Sequence, residues 1–125
     1  MSRGDEFFHG TTAHLRKGAI IRPGRKPNFQ GESSPEHSYA TTSEEHGWDY
    51  AEKAFYSTDK GHPRVYQVEP VNHEDVEDDP LTYEHGTMAG KLRGNYEGDK
   101  RSRSGWRVLS ERQMPEKMGT PEDWK

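Results

Sequence analysis

The chain has no cysteine. That excludes disulfide staples, thiolate nucleophiles and cysteine-ligated zinc, and it fits a reducing compartment. Long apolar runs are absent too. No stretch approaches the ~18 consecutive apolar residues of a membrane-spanning helix, and the opening Met1-Ser2-Arg3-Gly4-Asp5-Glu6 has no apolar segment of the secretory kind. A cytoplasmic location is the expectation. Aliphatic residues are scarce: Leu, Ile, Val and Phe together supply fifteen of 125 residues, and mean hydropathy is −1.30. So few core-formers usually mark a disordered chain. A large charge of one sign is the last absence, since 18 Lys and Arg nearly offset 22 Asp and Glu to leave −4.

Aromatic residues oppose the disordered reading. They make up 10% of the chain, and each buried ring removes roughly 150–250 Å² from water. A folded domain with a small core built on rings is therefore expected. The length allows one domain, over residues 1–125, and not two.

Short strand-like runs recur along the chain. Glu6–His9 and Ala19–Arg22 are two, the second closed by the turn pair Pro23-Gly24. Residues 24–37 are rich in Gly, Pro, Asn and Ser and predict a loop, followed by a strand over Ser38–Thr41. Thr42 with Glu45 three residues on predicts a capping box. The helix it opens carries Trp48, Ala51 and Phe55 on one face, at the spacing of core packing. Val65–Glu69 alternates and ends at Pro70, and Trp106–Leu109 is the last strand-like run. Several short strands with one main helix predict an α+β domain.

Charge is uneven. Residues 69–84 hold seven acids and no Lys or Arg. Residues 91–107 hold Lys91, Arg93, Lys100, Arg101, Arg103 and Arg107 against two acids. Two readings follow. The blocks are solvated segments that attract each other, or the basic stretch, interleaved with Tyr96 and Trp106, holds phosphates and stacks bases of a nucleic acid.

Seven histidines raise the question of zinc, yet no two stand four apart and there is no His-Glu-x-x-His, so no metal is expected. No P-loop is present either. The chemistry-bearing pattern lies elsewhere: His9-Gly10-Thr11 after the apolar pair Phe7-Phe8, then Tyr39 with Thr41, then Val65-Tyr66-Gln67-Val68-Glu69-Pro70 followed by Glu77-Asp78-Asp79-Pro80. Taken singly, His9 reads as a strand-end histidine, Tyr39 as a core ring and Asp79-Pro80 as a turn. Taken in order, His, Tyr and acid at strand ends resemble the triad of the poly(ADP-ribose) polymerase-like ADP-ribosyltransferases. With Leu15, Lys17-Gly18, Pro23-Gly24-Arg25, Asn28-Phe29 and Trp48, residues 6–81 resemble the rifamycin (rifampin) ADP-ribosyltransferases. Ser102–Glu111 is similar to that family's final Arg-rich segment, more weakly.

The resemblance implies a small split β-sheet holding NAD+ as co-substrate in a central cleft; a monomer is expected. It implies that His9 binds the nicotinamide-side ribose, that the Gly10 backbone holds the nicotinamide amide with Thr11 close by, that the Tyr39 ring packs on the nicotinamide, and that Asp79 is the catalytic acid. Asp78 and Glu77 are alternative carriers of that charge. The residue types suit the reaction independently. Cleaving the nicotinamide–ribose bond develops positive charge on the sugar, as in glycoside hydrolysis. A fixed carboxylate stabilises that charge more than the ground state and can draw the proton from an attacking hydroxyl. An aromatic face suits a flat cation.

The departures concern the acceptor. Pockets for large apolar ligands are mostly hydrophobic and aromatic, whereas this chain is polar. Its third strand is Ser38-Tyr39-Ala40-Thr41, and the sequence after Asp79 is unlike the family's. Three functions are therefore carried: transfer of ADP-ribose to a rifamycin-type antibiotic hydroxyl, the same transfer to DNA, RNA or another macromolecule, and binding of NAD+ or ADP-ribose without turnover. The arginine-modifying toxins and the RNA 2′-phosphotransferases fit less well. The acid run has no Glu-x-Glu, and Glu77-Asp78-Asp79-Pro80 is unlike an arginine-based phosphate site.

Overall fold

The computed structural model describes residues 6–23, 36–58, 60–78 and 98–124. Asp79, Lys91, Arg93 and residues 24–35 of the loop predicted over 24–37 lie outside them. Among the described residues seven strands form one antiparallel sheet: β1 (Phe7–Thr11), β2 (Ile20–Ile21), β3 (Ser38–Thr41), β4 (Arg64–Pro70), β5 (Glu77–Asp78), β6 (Asp99–Ser102) and β7 (Trp106–Glu111). Their order is β2-β7-β4-β1-β3-β6-β5. One long helix, α1 (Glu44–Thr58), crosses a face of the sheet. The architecture is α+β, as the strand and helix signals predict. No helix among the described residues is long and apolar enough to cross a membrane.

Two clusters make the core, one on each face of the sheet. Phe8 and Val65 pack against Trp48 and Ala51 of α1, with Met114 and Met118 covering the edge. The helical stripe read from the sequence is the buried face of α1, widened by Gly47 and Ala54. On the other face Ile21, Ala40, Tyr66, Val68, Trp106 and Val108 come together, with Phe7 and Leu15 against them. Trp106 and Tyr66 are fully buried. A ring of that size is worth about 4–6 kcal/mol at roughly 25 cal/mol per Å², before entropy is counted. That is how so few aliphatic residues hold a core.

The sheet bends sharply. β3 and β7 are separated in it by β4 and β1, yet the Trp106 indole nitrogen donates to the Ser38 carbonyl at 3.0 Å. The second half of the sheet therefore curls back over the first, with Trp106 in the fold of the curl. β1 joins the halves: it pairs with β4 along its whole length and with β3 through Phe8 opposite Thr41.

The start of α1 differs from the predicted capping box. Ser43, not Thr42, caps the helix: its Oγ accepts from the His46 amide at 3.3 Å, and the Gly47 amide bonds the Ser43 carbonyl. Glu44 and Glu45 fill the first turn, where acids suit the helix dipole. The Thr42 hydroxyl turns away to the Gly98 carbonyl at 3.2 Å, because the chain must first join β6 before it can helix.

Candidate active site

His9, Gly10 and Thr11 end β1, and Tyr39 lies in β3, the strand beside it. The His9 ring meets the Tyr39 backbone: Nδ1 is 2.9 Å from the Tyr39 carbonyl oxygen. A carbonyl only accepts, so Nδ1 carries the proton, and Nε2 of the neutral ring is then an acceptor. The contact spans the place where β1 and β3 part. It ties the two halves of the sheet and fixes the tautomer of His9 together. His9 and Tyr39 are both half-buried.

Gly10 has a reason within the fold itself. A Cβ there would collide with the backbone of α1. The glycine lets the helix lie directly on β1. Thr11 is buried, and its Oγ1 accepts from the Ala13 amide at 3.1 Å, turning the chain as it leaves the strand.

Beyond that turn the loop is pinned by a residue that the sequence marks only as part of Val65-Tyr66-Gln67-Val68-Glu69-Pro70, with no role of its own. Tyr66 stands opposite His9 in β4. Its hydroxyl accepts from the Leu15 amide and donates to the Ala13 carbonyl, each at 2.9 Å. Burial pushes the phenol up, and it stays protonated. Nothing in its alternating strand distinguishes it from an ordinary core ring.

Near the acidic run the chain makes a clasp. The Asp75 carboxylate accepts from the Ser102 hydroxyl at 2.7 Å, from the Ser104 amide at 3.0 Å and from the Ser104 hydroxyl. Burial raises this carboxyl, but those three donors outweigh it and hold it below the usual carboxylate value. Glu77 and Asp78 follow as β5, opposite Arg101 and Lys100 of β6. Arg101 Nε bonds Glu77 at 2.6 Å, and Lys100 pairs with Asp78. Phe7, Pro70, Val76 and Lys100 line a depression of about 430 Å³ here, on the sheet face that also carries His9.

The acid block and the basic block thus attract each other, and two strands come from them that apolar alternation could not predict. Among the described residues of the basic stretch, Lys100 pairs with Asp78, Arg101 with Glu77, Arg103 with Glu36 and Arg107 with Glu69. These cations face the protein's own carboxylates. Among the described residues no group of three or more His, Asp or Glu is arranged to hold a metal ion.

A family model for the rifampin ADP-ribosyl transferases matches residues 7–114. The chain belongs to that family. Membership covers the whole of the sheet and α1, so the ties just described are features of a rifampin ADP-ribosyl transferase family member. A comparison with curated proteins gives no match.

Proposed function

We propose that the protein is an NAD+-dependent mono-ADP-ribosyltransferase that modifies a hydroxyl of a rifamycin-type antibiotic and releases nicotinamide. The observation that carries the reading is the extent of the family match, 7–114, which takes in His9, Gly10, Thr11, Tyr39 and Asp79 together. The His9 tautomer is consistent with it: an acceptor at Nε2 suits a ribose hydroxyl, which is a donor. The Gly10 backbone and Thr11 are proposed to hold the nicotinamide amide, and the Tyr39 ring to cover the flat nicotinamide.

The catalytic carboxylate is proposed to be Asp79. Glu77 and Asp78 are already in ion pairs within the sheet, which favours their neighbour. In the reaction the bond from ribose C1 to nicotinamide breaks and the acceptor oxygen bonds to C1. The carboxylate stabilises the cationic sugar between those events and takes the acceptor's proton. Removing it leaves the ribose and nicotinamide contacts in place.

Mass spectrometry after incubation with NAD+ and rifampicin tests this, with DNA in a parallel reaction and Asp79→Ala as control. Rifampicin should gain the mass of one ADP-ribose with wild type and none with the variant. A gain on DNA with rifampicin untouched would move the acceptor to nucleic acid. Full activity in Asp79→Ala would reassign the acid.

A further inference from the structure

We propose that His37, Glu77 and Arg101 form a positioning set that holds β5, the strand that precedes Asp79 in the sequence, in register with the strand of Tyr39. The inference rests on the proposed roles of Tyr39 and Asp79.

Tyr39 stands opposite Arg101 across β3 and β6, and Arg101 stands opposite Glu77 across β6 and β5. Residues directly opposite in an antiparallel ladder share a face, so the three make one rung across three strands. Glu77 receives a second neighbour. His37, just before β3, places Nε2 3.3 Å from the Glu77 oxygen that Arg101 already bonds. Its ring lies 6.5 Å from that of Tyr39. The carboxylate of Glu77 is thus the meeting point of the strand with Tyr39 and the strand before Asp79.

β5 has two residues, too few for its backbone ladder to hold it firmly. Side chains must complete the attachment. The Glu77 rung lies on one face and the Lys100–Asp78 pair on the next, and the Asp75 clasp holds the approach. His37 is 6% exposed, and neither ring nitrogen makes a well-formed hydrogen bond. An imidazole buried on those terms needs a reason. Its place supplies one: the ring packs beside Tyr39 and against the Glu77 carboxylate that Arg101 bonds. Burial, then the Arg101 and Arg103 guanidiniums, hold it below its ordinary value against Glu77 and Glu36. It therefore packs as a neutral ring at pH 7. None of the three is assigned a contact with substrate.

The test compares Arg101→Met, Arg101→Lys and Glu77→Gln with wild type, by steady-state transfer to rifampicin and by hydrogen exchange of the Glu77 amide, which faces Arg101 across the ladder. The expected result is a fall in kcat on the order of ten- to a hundredfold in Arg101→Met and Glu77→Gln, with KM for NAD+ within about twofold. Arg101→Lys should keep more of the rate than Arg101→Met. The Glu77 amide should exchange faster in Arg101→Met, with the Tyr66 amide in β4, opposite His9, unchanged. Unaltered exchange at Glu77 would overturn the proposal, and so would unchanged kcat in an active enzyme. If wild type transfers nothing, the proposed function fails, and exchange alone still decides whether the set holds β5.

Discussion

The carbonyl oxygen of Gly47 stands 2.0 Å from where a Cβ on Gly10 would lie, and the Ala51 amide nitrogen 2.8 Å from it. Strand and helix touch backbone to backbone at the residue after His9. The relationship makes an asymmetric prediction for the two glycines. Gly10→Ala should cost on the order of 1–3 kcal/mol or more, since rigid backbone must move. Gly47→Ala meets only side chains at 3.4 Å, so it should be near neutral or gain up to about 1 kcal/mol of helix propensity. Thermal unfolding of both variants checks the contrast. Equal effects would mean that the helix does not lie where it is described.

Ser43→Ala should lose about 0.5–2 kcal/mol as the cap of α1 is removed. Thr42→Ala removes the bond to the Gly98 carbonyl and leaves the cap in place. Helix content by circular dichroism near the midpoint separates the two, because only Ser43→Ala should fray α1.

Tyr66→Phe keeps the buried ring and deletes both bonds to the loop after Thr11. The Leu15 amide and Ala13 carbonyl lose their partner, which should cost about 1–3 kcal/mol. Because that loop leaves His9-Gly10-Thr11, the variant should also bind NAD+ more weakly. Calorimetric titration with NAD+ reads this directly, and unchanged affinity would uncouple the loop from the ligand.

Stability should decline as pH falls from 7 towards 5. Burial holds both His37 and His62 below their ordinary value of 6.5. A histidine depressed in the folded state favours unfolding once the unfolded chain begins to take up protons. Its contribution is present above the unfolded value and is lost as pH drops through the folded one. His37→Gln and His62→Gln should each flatten the melting temperature against pH in this window. A wild-type profile that is flat from 7 to 5 would contradict the burial of both rings.

Much of this fold was legible because apolar residues mark it. Phe7-Phe8, Ile20-Ile21, Val65–Glu69 and Trp106–Leu109 alternate or cluster as strands do, and each is one. Trp48, Ala51 and Phe55 gave the helix face. β5 and β6 were not legible in that way. Glu77-Asp78 and Asp99-Lys100-Arg101-Ser102 have no apolar period, and they become strands through opposite charge and through pairing with β3. The complementary blocks were the visible trace of this, open also to a nucleic-acid reading. Within the candidate site, the sequence marked His9 and Tyr39 but not their union. A ring nitrogen meeting a carbonyl thirty residues away leaves no local signal.

The two ends of the sheet have a consequence for how copies of the chain meet. Its terminal strands, β2 and β5, are two residues long, and β5 is Glu77-Asp78. Exposed strand edges are where sheets of different molecules join and fibrils begin. Among the described residues this sheet offers a stranger only a few main-chain groups, guarded at one end by carboxylates. The core is slender, yet along these described edges a crowd of such molecules has little to zip together.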